Sequence, residues 1–293
     1  FNWLHPTLAP STAPTLSHTA YLKITSSPTY KVRNGFAFAV TAANNLVYTW
    51  GEAPYGGDST AAAAHLETMM YDVTPSRFFF VGRNSSGNAV SWGVLNAQME
   101  GAFLYVVANE AAVVGVTPFG KVVAVGSKHH GGDLSSPSHC PACATVLAAN
   151  VTAVSASAGA FAAFKYDGSV FAWGNPHMGG YASAETLTSA TGAILIVATR
   201  SAFAALLPDG HVVTWGDRLS GGDSSAVQSQ LTDVVHIVAS ETVFVAFRSD
   251  STIVTWGYPL YGGDSSAVQH LLTNVVYVAH NPTAMAAPRA DGT

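Results

Sequence analysis

The most reactive side chains of this sequence are gathered in one short run of cysteine and histidine. Cys140 and Cys143 are the only two cysteines, and His139 comes directly before them in the run HCPAC. His129 and His130 lie shortly upstream. Two thiols at this spacing could form a local disulfide, stay free in a loop, bind a metal ion with His139, or carry out redox chemistry.

Metal binding and redox chemistry both need more than this run supplies. Structural zinc takes four ligands, and the chain has a single CxxC. A redox CxxC of the thioredoxin type needs a βαβ context and a helix N-terminus, which the residues around Cys140 do not indicate. We therefore favour a disulfide between Cys140 and Cys143 that clamps the loop. Free thiols are the first alternative, and a metal or redox site remains the third.

The carboxylates form no recognisable catalytic pattern. An aspartate follows a Gly-Gly pair at Asp58, Asp133, Asp223 and Asp264. One carboxylate per loop cannot fill the six to eight oxygen positions around calcium, so we expect these aspartates to cap turns. The glutamates are scattered, with no pair expected at equivalent sites, and motifs for hydrolases, metalloproteases and nucleotide binding are absent from the sequence. The prediction is a protein that is not an enzyme and has no catalytic residue and no cofactor.

Composition restricts the partners and the setting. Only 10% of the residues are charged and the net charge is -5. Twelve scattered Lys and Arg residues argue against nucleic acid, and no run is long and apolar enough for a membrane span. Low charge and few lysines favour a secreted or organelle-lumenal setting, or a surface covered by partners. Because the chain starts at Phe1 rather than Met, we interpret it as a processed product or a fragment.

These residues sit in copies of one repeated pattern. His211–Asp223 reads HVVTWGDRLSGGD and Thr252–Asp264 reads TIVTWGYPLYGGD. The glycine after the tryptophan, which in one worn copy follows Val125 instead, recurs at intervals of about 41 residues, a period typical of propeller blades. Its positions are Gly51, Gly93, Gly126, Gly174, Gly216 and Gly257.

Each repeat predicts three strands. In the best copy they are Val234–Ala239, Val243–Phe247 and Ile253–Trp256, because Val, Ile, Phe, Thr and Trp favour strands. Asp-Gly or Asp-Ser between the second and third runs predicts a tight hairpin turn. Asp223 and Asp264 are then expected to be N-caps of short helical turns.

Asp209–Gly216 reads DGHVVTWG and Asp167–Gly174 reads DGSVFAWG. This resembles the repeat of the regulator of chromosome condensation (RCC1-like) family, whose pattern is DG-x-V-x-x-WG, and the resemblance covers nearly the whole chain. It implies an all-β fold: a seven-bladed β-propeller in one domain over residues 1–293, with a loop insert at 127–150. The family's Gly-x-x-His is replaced by Ala239–Thr242, and the protruding wedge of the founding member is not recognisable. A guanine-nucleotide exchange role therefore does not transfer.

The two ends of the chain predict how the ring closes. The seventh repeat stops before its third strand, whereas Trp3 falls where the seventh tryptophan is expected. We predict that Phe1–His5 supplies the missing strand beside Thr283–Ala287. The alternative is that both ends are cuts in a longer array.

Two features of the repeats bear on function. Trp50, Trp92, Trp173, Trp215 and Trp256 are expected to be structural, packing at one position of each blade. The four residues between WG and GG change freely inside a constant frame, so we expect them to form a rim that binds a protein partner. The candidate residues are Tyr55, His129, His130, His177, Met178, Arg218, Tyr258 and Tyr261.

The sequence thus predicts a non-enzymatic scaffold that binds proteins or has a structural role. A subunit of a larger assembly is one version of this prediction. Two alternatives remain open. By family analogy the chain could regulate a GTPase or ubiquitin pathway, and by its CPAC loop it could be a redox or metal-binding protein.

Overall fold

The computed structural model describes residues 34–42, 44–66, 70–135, 140 and 142–293. These residues form seven separate antiparallel sheets in chain order, here called units 1 to 7. Unit 1 contains β1 (Ala37–Thr41) and β2 (Val47–Gly51). Unit 2 contains β3 (Met70–Pro75), β4 (Phe79–Asn84), β5 (Ala89–Gly93) and β6 (Ala97–Met99). Unit 3 contains β7 (Tyr105–Ala108), β8 (Ala112–Val116) and β9 (Val122–Gly126).

The later units repeat this arrangement. Unit 4 contains β10 (Val151–Ala156), β11 (Ala160–Lys165) and β12 (Val170–Gly174). Unit 5 contains β13 (Leu195–Ala198), β14 (Ala202–Leu206) and β15 (Val212–Gly216). Unit 6 contains β16 (Val234–Ala239), β17 (Val243–Arg248) and β18 (Ile253–Gly257), and unit 7 contains β19 (Ala279–His280) and β20 (Met285–Ala286).

The strands predicted in unit 6 are confirmed, because β16, β17 and β18 cover the three predicted runs. The hairpin turns are also as predicted: Gly210 and Ser251 have φ of 82° and 64°, the left-handed conformation that such a turn requires. Unit 2 differs from the prediction. Its short repeat loses the Gly-Gly loop but gains a fourth strand, β6, which pairs Ala97 with Ser91 of β5.

The first strands of units 2 to 6 lie side by side, since each contacts the first strand of the next unit. The turns that follow these strands are joined by backbone hydrogen bonds. The N–H of Glu110 donates to Ala158 O (3.0 Å), that of Ala158 to Arg200 O (2.8 Å), and that of Arg200 to Glu241 O (2.8 Å). Equivalent turns of units 3 to 6 are thus linked in a continuous series.

The tryptophans link the units as well as filling them. In unit 5 the Trp215 ring stacks on Phe203 (5.4 Å between centroids), and its indole N–H donates to Gly179 O of unit 4 (3.1 Å). Trp173 and Trp256 make the same bond to the preceding unit, at 3.2 and 3.0 Å. The packing role expected for these residues is therefore seen, together with a hydrogen bond that the sequence did not indicate.

Two tryptophans depart from this pattern. Trp92 is fully buried, but its Nε1 has no acceptor among the residues that the structure describes. Trp50 stacks on Phe38 (5.5 Å), yet it is 52% exposed, so the expectation that all five are packed alike is wrong for this residue. The reason is that the other indoles are covered by the preceding unit, and the described residues include no unit ahead of unit 1.

Helical structure is confined to the connections. The α-helices within the described ranges are α1 (Ala63–Leu66), α2 (Cys143–Val146) and α3 (Ala184–Ser189). No helix among the described residues is long and apolar enough to cross a membrane. Asp223 and Asp264 accept backbone N–H groups in turns, as predicted, from Ser225 and Ser266 (both 3.0 Å). The predicted N-cap role is wrong, because the helical turns begin later, at Gln228 and Gln269. A carboxylate that closes an Asx turn two residues on is not placed to cap those helices.

Two predictions fall outside the described residues. They are the pairing of Phe1–His5, which includes Trp3, and the participation of His139 in a metal site.

Candidate partner-binding rim

Five short turns occupy the same place in their units, directly after the Trp-Gly or Val-Gly that ends the third strand. In each, an extended residue (φ between -64° and -69°) leads into one 3-10 turn, and a glycine in the left-handed conformation ends it. We call these five turns the rim. They are Ala53–Tyr55, Lys128–His130, Pro176–Met178, Arg218–Ser220 and Pro259–Tyr261.

The repeated glycines force this shape, as unit 5 illustrates. Gly216 has φ of 106°, and a Cβ atom there would lie 2.6 Å from Ser201 O. The next residue, Asp217, donates its N–H to that same carbonyl (2.9 Å). Because Ser201 lies in the turn between the first and second strands, each rim turn sits at that end of its unit. The WG spacing therefore fixes the position of the turn and leaves its tip free to vary.

A buried or half-buried polar side chain anchors four of the turns. In units 3, 4 and 5 it belongs to the residue directly after the first strand, and in unit 1 it belongs to the equivalent residue, which precedes β1. Each side chain donates to the carbonyl of the turn's last residue. The pairs are Asn34 with Tyr55 (2.6 Å), Asn109 with His130 (2.8 Å), Ser157 with Met178 (2.7 Å) and Thr199 with Ser220 (2.8 Å).

Sequence reasoning missed these anchoring residues. The available signal was a small polar residue closing each first apolar run, at the place where the family pattern has its Gly-x-x-His. Because each anchor satisfies a carbonyl about twenty residues away in the chain, its role becomes visible only in three dimensions.

The predicted rim residues divide into two groups. His129, His177 and Arg218 are exposed at the tips. Half-buried side chains form the other group: Tyr55, His130, Met178, Tyr258 and Tyr261. Two further tip residues, outside the predicted set, are strongly exposed: Leu219 at 57% and Leu260 at 81%. Bulky aliphatic side chains are ordinarily buried, so their exposure at these tips is unusual.

Some of the half-buried residues support their neighbours rather than face solvent. His130 and Met178 of adjacent turns converge over Gly159, where a Cβ would lie 2.5 Å from Met178 Sδ and 3.1 Å from His130 Cδ2. Burial lowers the pKa of the His130 imidazole, whose Nδ1 lies 3.0 Å from Ser127 Oγ. His130 thus packs between two turns.

The rim also carries an aromatic cluster between units 1 and 2. Tyr55 stacks on Phe36 (4.5 Å), Phe36 lies 6.4 Å from Phe78, and the Arg77 guanidinium sits 5.4 Å above the Phe78 ring. Unit 2 has no rim turn, so these rings remain accessible: Phe36 is 39% exposed. Aromatic side chains and arginine are the residue types most enriched in interface hot spots.

Charged residues meet at the turns between first and second strands. Glu110 contacts Arg77 (3.1 Å) and Arg200 (3.5 Å), and Arg200 also contacts Glu241 (3.0 Å). The expectation that the glutamates occupy no equivalent sites is therefore wrong, because Glu110 and Glu241 each follow the polar residue that closes a first strand. Both carboxylates face arginine, so the arrangement joins units 2, 3, 5 and 6.

The cysteine loop packs into an apolar cluster of units 3 and 4. Cys140 and Cys143 are joined by a disulfide, with their Cα atoms 5.3 Å apart. Cys143 is fully buried and both residues belong to an apolar cluster that includes Leu147, Val151 and Trp173. Redox catalysis requires an accessible sulfur, and zinc requires thiolates, so this environment favours a structural clamp. The part of the chain that the structure describes contains no group of three or more His, Cys, Asp or Glu side chains placed to hold a metal.

Solved structures with a similar arrangement are propellers. A structure of Kap60 bound to yeast RCC1 (Prp20) matches with 12% identity and a TM-score of 0.53, covering 86% of this chain and 78% of that one. Prp20p from Saccharomyces cerevisiae matches with 12% identity and a TM-score of 0.50, covering 78% and 71%. The ectodomain of the receptor kinase CR4 from Physcomitrella patens matches with 15% identity and a TM-score of 0.48. The match covers 76% of this chain but only 59% of the CR4 ectodomain.

No protein-family model and no curated protein matches the sequence. At identities this low the likeness concerns the fold. Together with the antiparallel sheets of three to four strands in the described residues, it defines the class of the protein as a β-propeller.

Proposed function

We propose that this chain is a non-enzymatic protein-interaction scaffold whose rim binds a protein partner. One observation carries the proposal. Repeat-equivalent turns are held rigidly at one end of their units, while their exposed tips differ in residue type. A surface that is ordered before binding loses little conformational entropy on association. Variable loops on a constant frame are where binding residues are generally found.

The tip chemistry supports a protein partner. Arg218, Leu219 and Leu260 are exposed, and the cluster of Phe36, Tyr55 and Phe78 lies on the same rim. Such a surface combines aromatic anchors with a polar surround, as protein interfaces do. The yeast propeller above is solved in complex with Kap60. By analogy we propose only that this chain also uses its fold as a platform for binding a protein. The identity of that protein is to be found by the experiment below.

We propose further that the units are RCC1-like blades closed into one seven-bladed ring, as a single domain. Unit 7 has only two strands among the described residues, β19 and β20, and lacks the strand that carries tryptophan elsewhere. Met285 takes the place of the stacking phenylalanine: a Cβ on Gly262 would lie 3.4 Å from Met285 Cγ, much as one on Gly221 would meet Phe244. Because Phe244 pairs with Trp256, the same register would pair Met285 with Trp3.

Affinity capture with matched variants tests the rim. We expect a stoichiometric protein partner to be recovered from native extract by the wild-type chain. His177→Ala, Leu219→Ala and Leu260→Ala together should reduce that recovery by about tenfold, since loss of roughly 1.4 kcal/mol of binding energy has this effect. The control, Glu185→Ala, changes an exposed residue of the connecting helix α3, on neither the rim nor the opposite end of the units, and should leave recovery unchanged. Recovery of the wild-type chain alone, or equal loss in the control, would contradict the proposal.

A further inference from the structure

A second continuous surface lies at the opposite end of the units from the rim. It consists of the hairpin turns between second and third strands and the residues that begin the first strands, and we call it the hairpin face. Backbone hydrogen bonds join it from one unit to the next. They run from Val151 N to Gly120 O (3.0 Å), Gly192 N to Gly168 O (2.8 Å), Val234 N to Gly210 O (3.0 Å) and Val275 N to Ser251 O (3.1 Å).

Aliphatic side chains are exposed on this face at one repeated position. Each directly follows a buried residue at the start of a first strand or of its equivalent in unit 7, and each is more than half exposed. The exposures are Leu104 54%, Ile194 59%, Val235 60% and Val276 62%. Scattered exposed aliphatic residues are normal on protein surfaces, but these four recur at one equivalent position, which in unit 4 is taken by Thr152.

The backbone shows that this exposure is built into the units. In unit 6 the pairing of β16 with β17 shifts register between Val234 and His236, so Val235 is the extra residue of a bulge, and unit 4 has the same bulge at Thr152. Bulges re-aim side chains, which accounts for the exposure of this position. An aliphatic residue at such a position gains little unless another surface covers it.

Carboxylates surround the aliphatic residues. They occupy the hairpin turns of units 4 to 7 and one strand start, and all are exposed. These residues are Asp167, Asp209, Asp233, Asp250 and Asp291.

Two arginines of this face are less exposed than the carboxylates they contact. Arg248 is 25% exposed at its side chain, against 69% for Asp233 and 52% for Asp250, and Arg289 is 27% exposed against 51% for Asp291. Hydrogen bonds from the residue two positions on, Thr252 and Thr293, hold the pKa of Asp250 and Asp291 below its usual value. In units 4 to 7 the most exposed charges of the hairpin face are therefore negative, whereas the hairpin turn of unit 3 carries the exposed cation of Lys121.

We propose that the hairpin face binds a segment of a partner protein in which aliphatic side chains are flanked by lysine or arginine. The exposed aliphatic residues of the face would pack against the aliphatic side chains of the partner segment. The exposed carboxylates would attract the lysine or arginine residues that flank them. A second copy of the chain would oppose one set of carboxylates with another, and an anionic membrane or nucleic acid would be repelled. With the rim at the other end, the chain would be a two-faced adaptor.

Short synthetic peptides test this inference independently of the rim. The probes are a leucine–lysine peptide, the same peptide with glutamate for lysine, and the same peptide with serine for leucine, measured by fluorescence anisotropy. We expect saturable binding of the first probe only. Val235→Ser with Val276→Ser should weaken it about tenfold or more, because two exposed valines would lose their burial in the complex. Leu260→Ser, on the rim, should leave it unchanged.

Charge variants complete the test. Asp209→Asn with Asp291→Asn keeps the acceptor for the residue two positions on, and it should weaken binding and reduce its dependence on salt. The inference is overturned by equal binding of the glutamate peptide, by equal loss in Leu260→Ser, by binding to phosphatidylserine vesicles in place of the peptide, or by a dimer that Val235→Ser with Val276→Ser dissociates. A partner captured through the rim would leave each of these results unchanged.

Discussion

Replacing Trp215 with alanine is expected to lower the free energy of unfolding by about 3–5 kcal/mol, the usual range for a buried tryptophan. Trp215 is 4% exposed, stacks on Phe203 and donates its indole N–H to Gly179 O of the preceding unit. The substitution therefore opens a cavity inside unit 5 and leaves a carbonyl of unit 4 without its donor. Equilibrium unfolding in urea, followed by tryptophan fluorescence and circular dichroism, measures the effect.

Two comparisons separate the packing from the hydrogen bond. Leu219→Ala changes an exposed residue of the same unit and should stay within about 0.5 kcal/mol of wild type. Trp215→Phe should cost about 1–3 kcal/mol more than Trp92→Phe. Both substitutions remove similar volume, but within the described part of the chain only the Trp215 indole donates a hydrogen bond that phenylalanine would lose. Equal losses for the two phenylalanine variants would show that the link between units adds nothing to stability.

Removing the disulfide by Cys140→Ala with Cys143→Ala is expected to lower the free energy of unfolding by about 2 kcal/mol. Closing a loop of about four residues restricts the unfolded chain by roughly that amount. Cys143 is also fully buried, packed in the same apolar cluster as Leu147, so its loss removes core contacts as well. Thermal unfolding of the double variant against wild type measures the change.

A reductant provides the control for the cysteine prediction. Dithiothreitol should lower the melting temperature of the wild type and leave that of the double alanine variant where it is. Thiol titration of the folded, untreated protein should find no reactive cysteine. Two titratable thiols in the native protein, or a wild type insensitive to reduction, would favour the free-thiol alternative.

Local sequence patterns were sufficient for the units and their turns. Val234–Ala239 is rich in β-branched residues, and glycine is the residue that accepts positive φ at Gly210, so strand and turn are both written into neighbouring positions. β6 was missed because Ala97–Met99 is short and becomes a strand only by pairing with β5. The exposure of Trp50 was missed because burial depends on the neighbouring unit.

The candidate site was predictable in position but less so in detail. The WGxxxxGG spacing located the rim turns, since its glycines dictate the backbone there. It did not show that His130 packs between turns or that Asn109 holds its carbonyl, because these contacts join residues far apart in the chain. The meeting of Glu110 with Arg200 was missed for the same reason: the two residues lie in equivalent turns of units 3 and 5, far apart in the chain.

Cross-linking of Trp3→Cys with Met285→Cys tests closure of the ring most directly. Antiparallel neighbours have Cα atoms about 4.5–5.5 Å apart, within the range that a disulfide spans. The closed ring predicts a bond within one chain between positions 3 and 285, mapped by peptide mass spectrometry, with the propeller still folded. Trp3→Cys with Phe119→Cys, whose second site lies on the hairpin face of unit 3, should not cross-link. Absence of the 3–285 bond, or bonds only between separate chains, would contradict the closed scaffold.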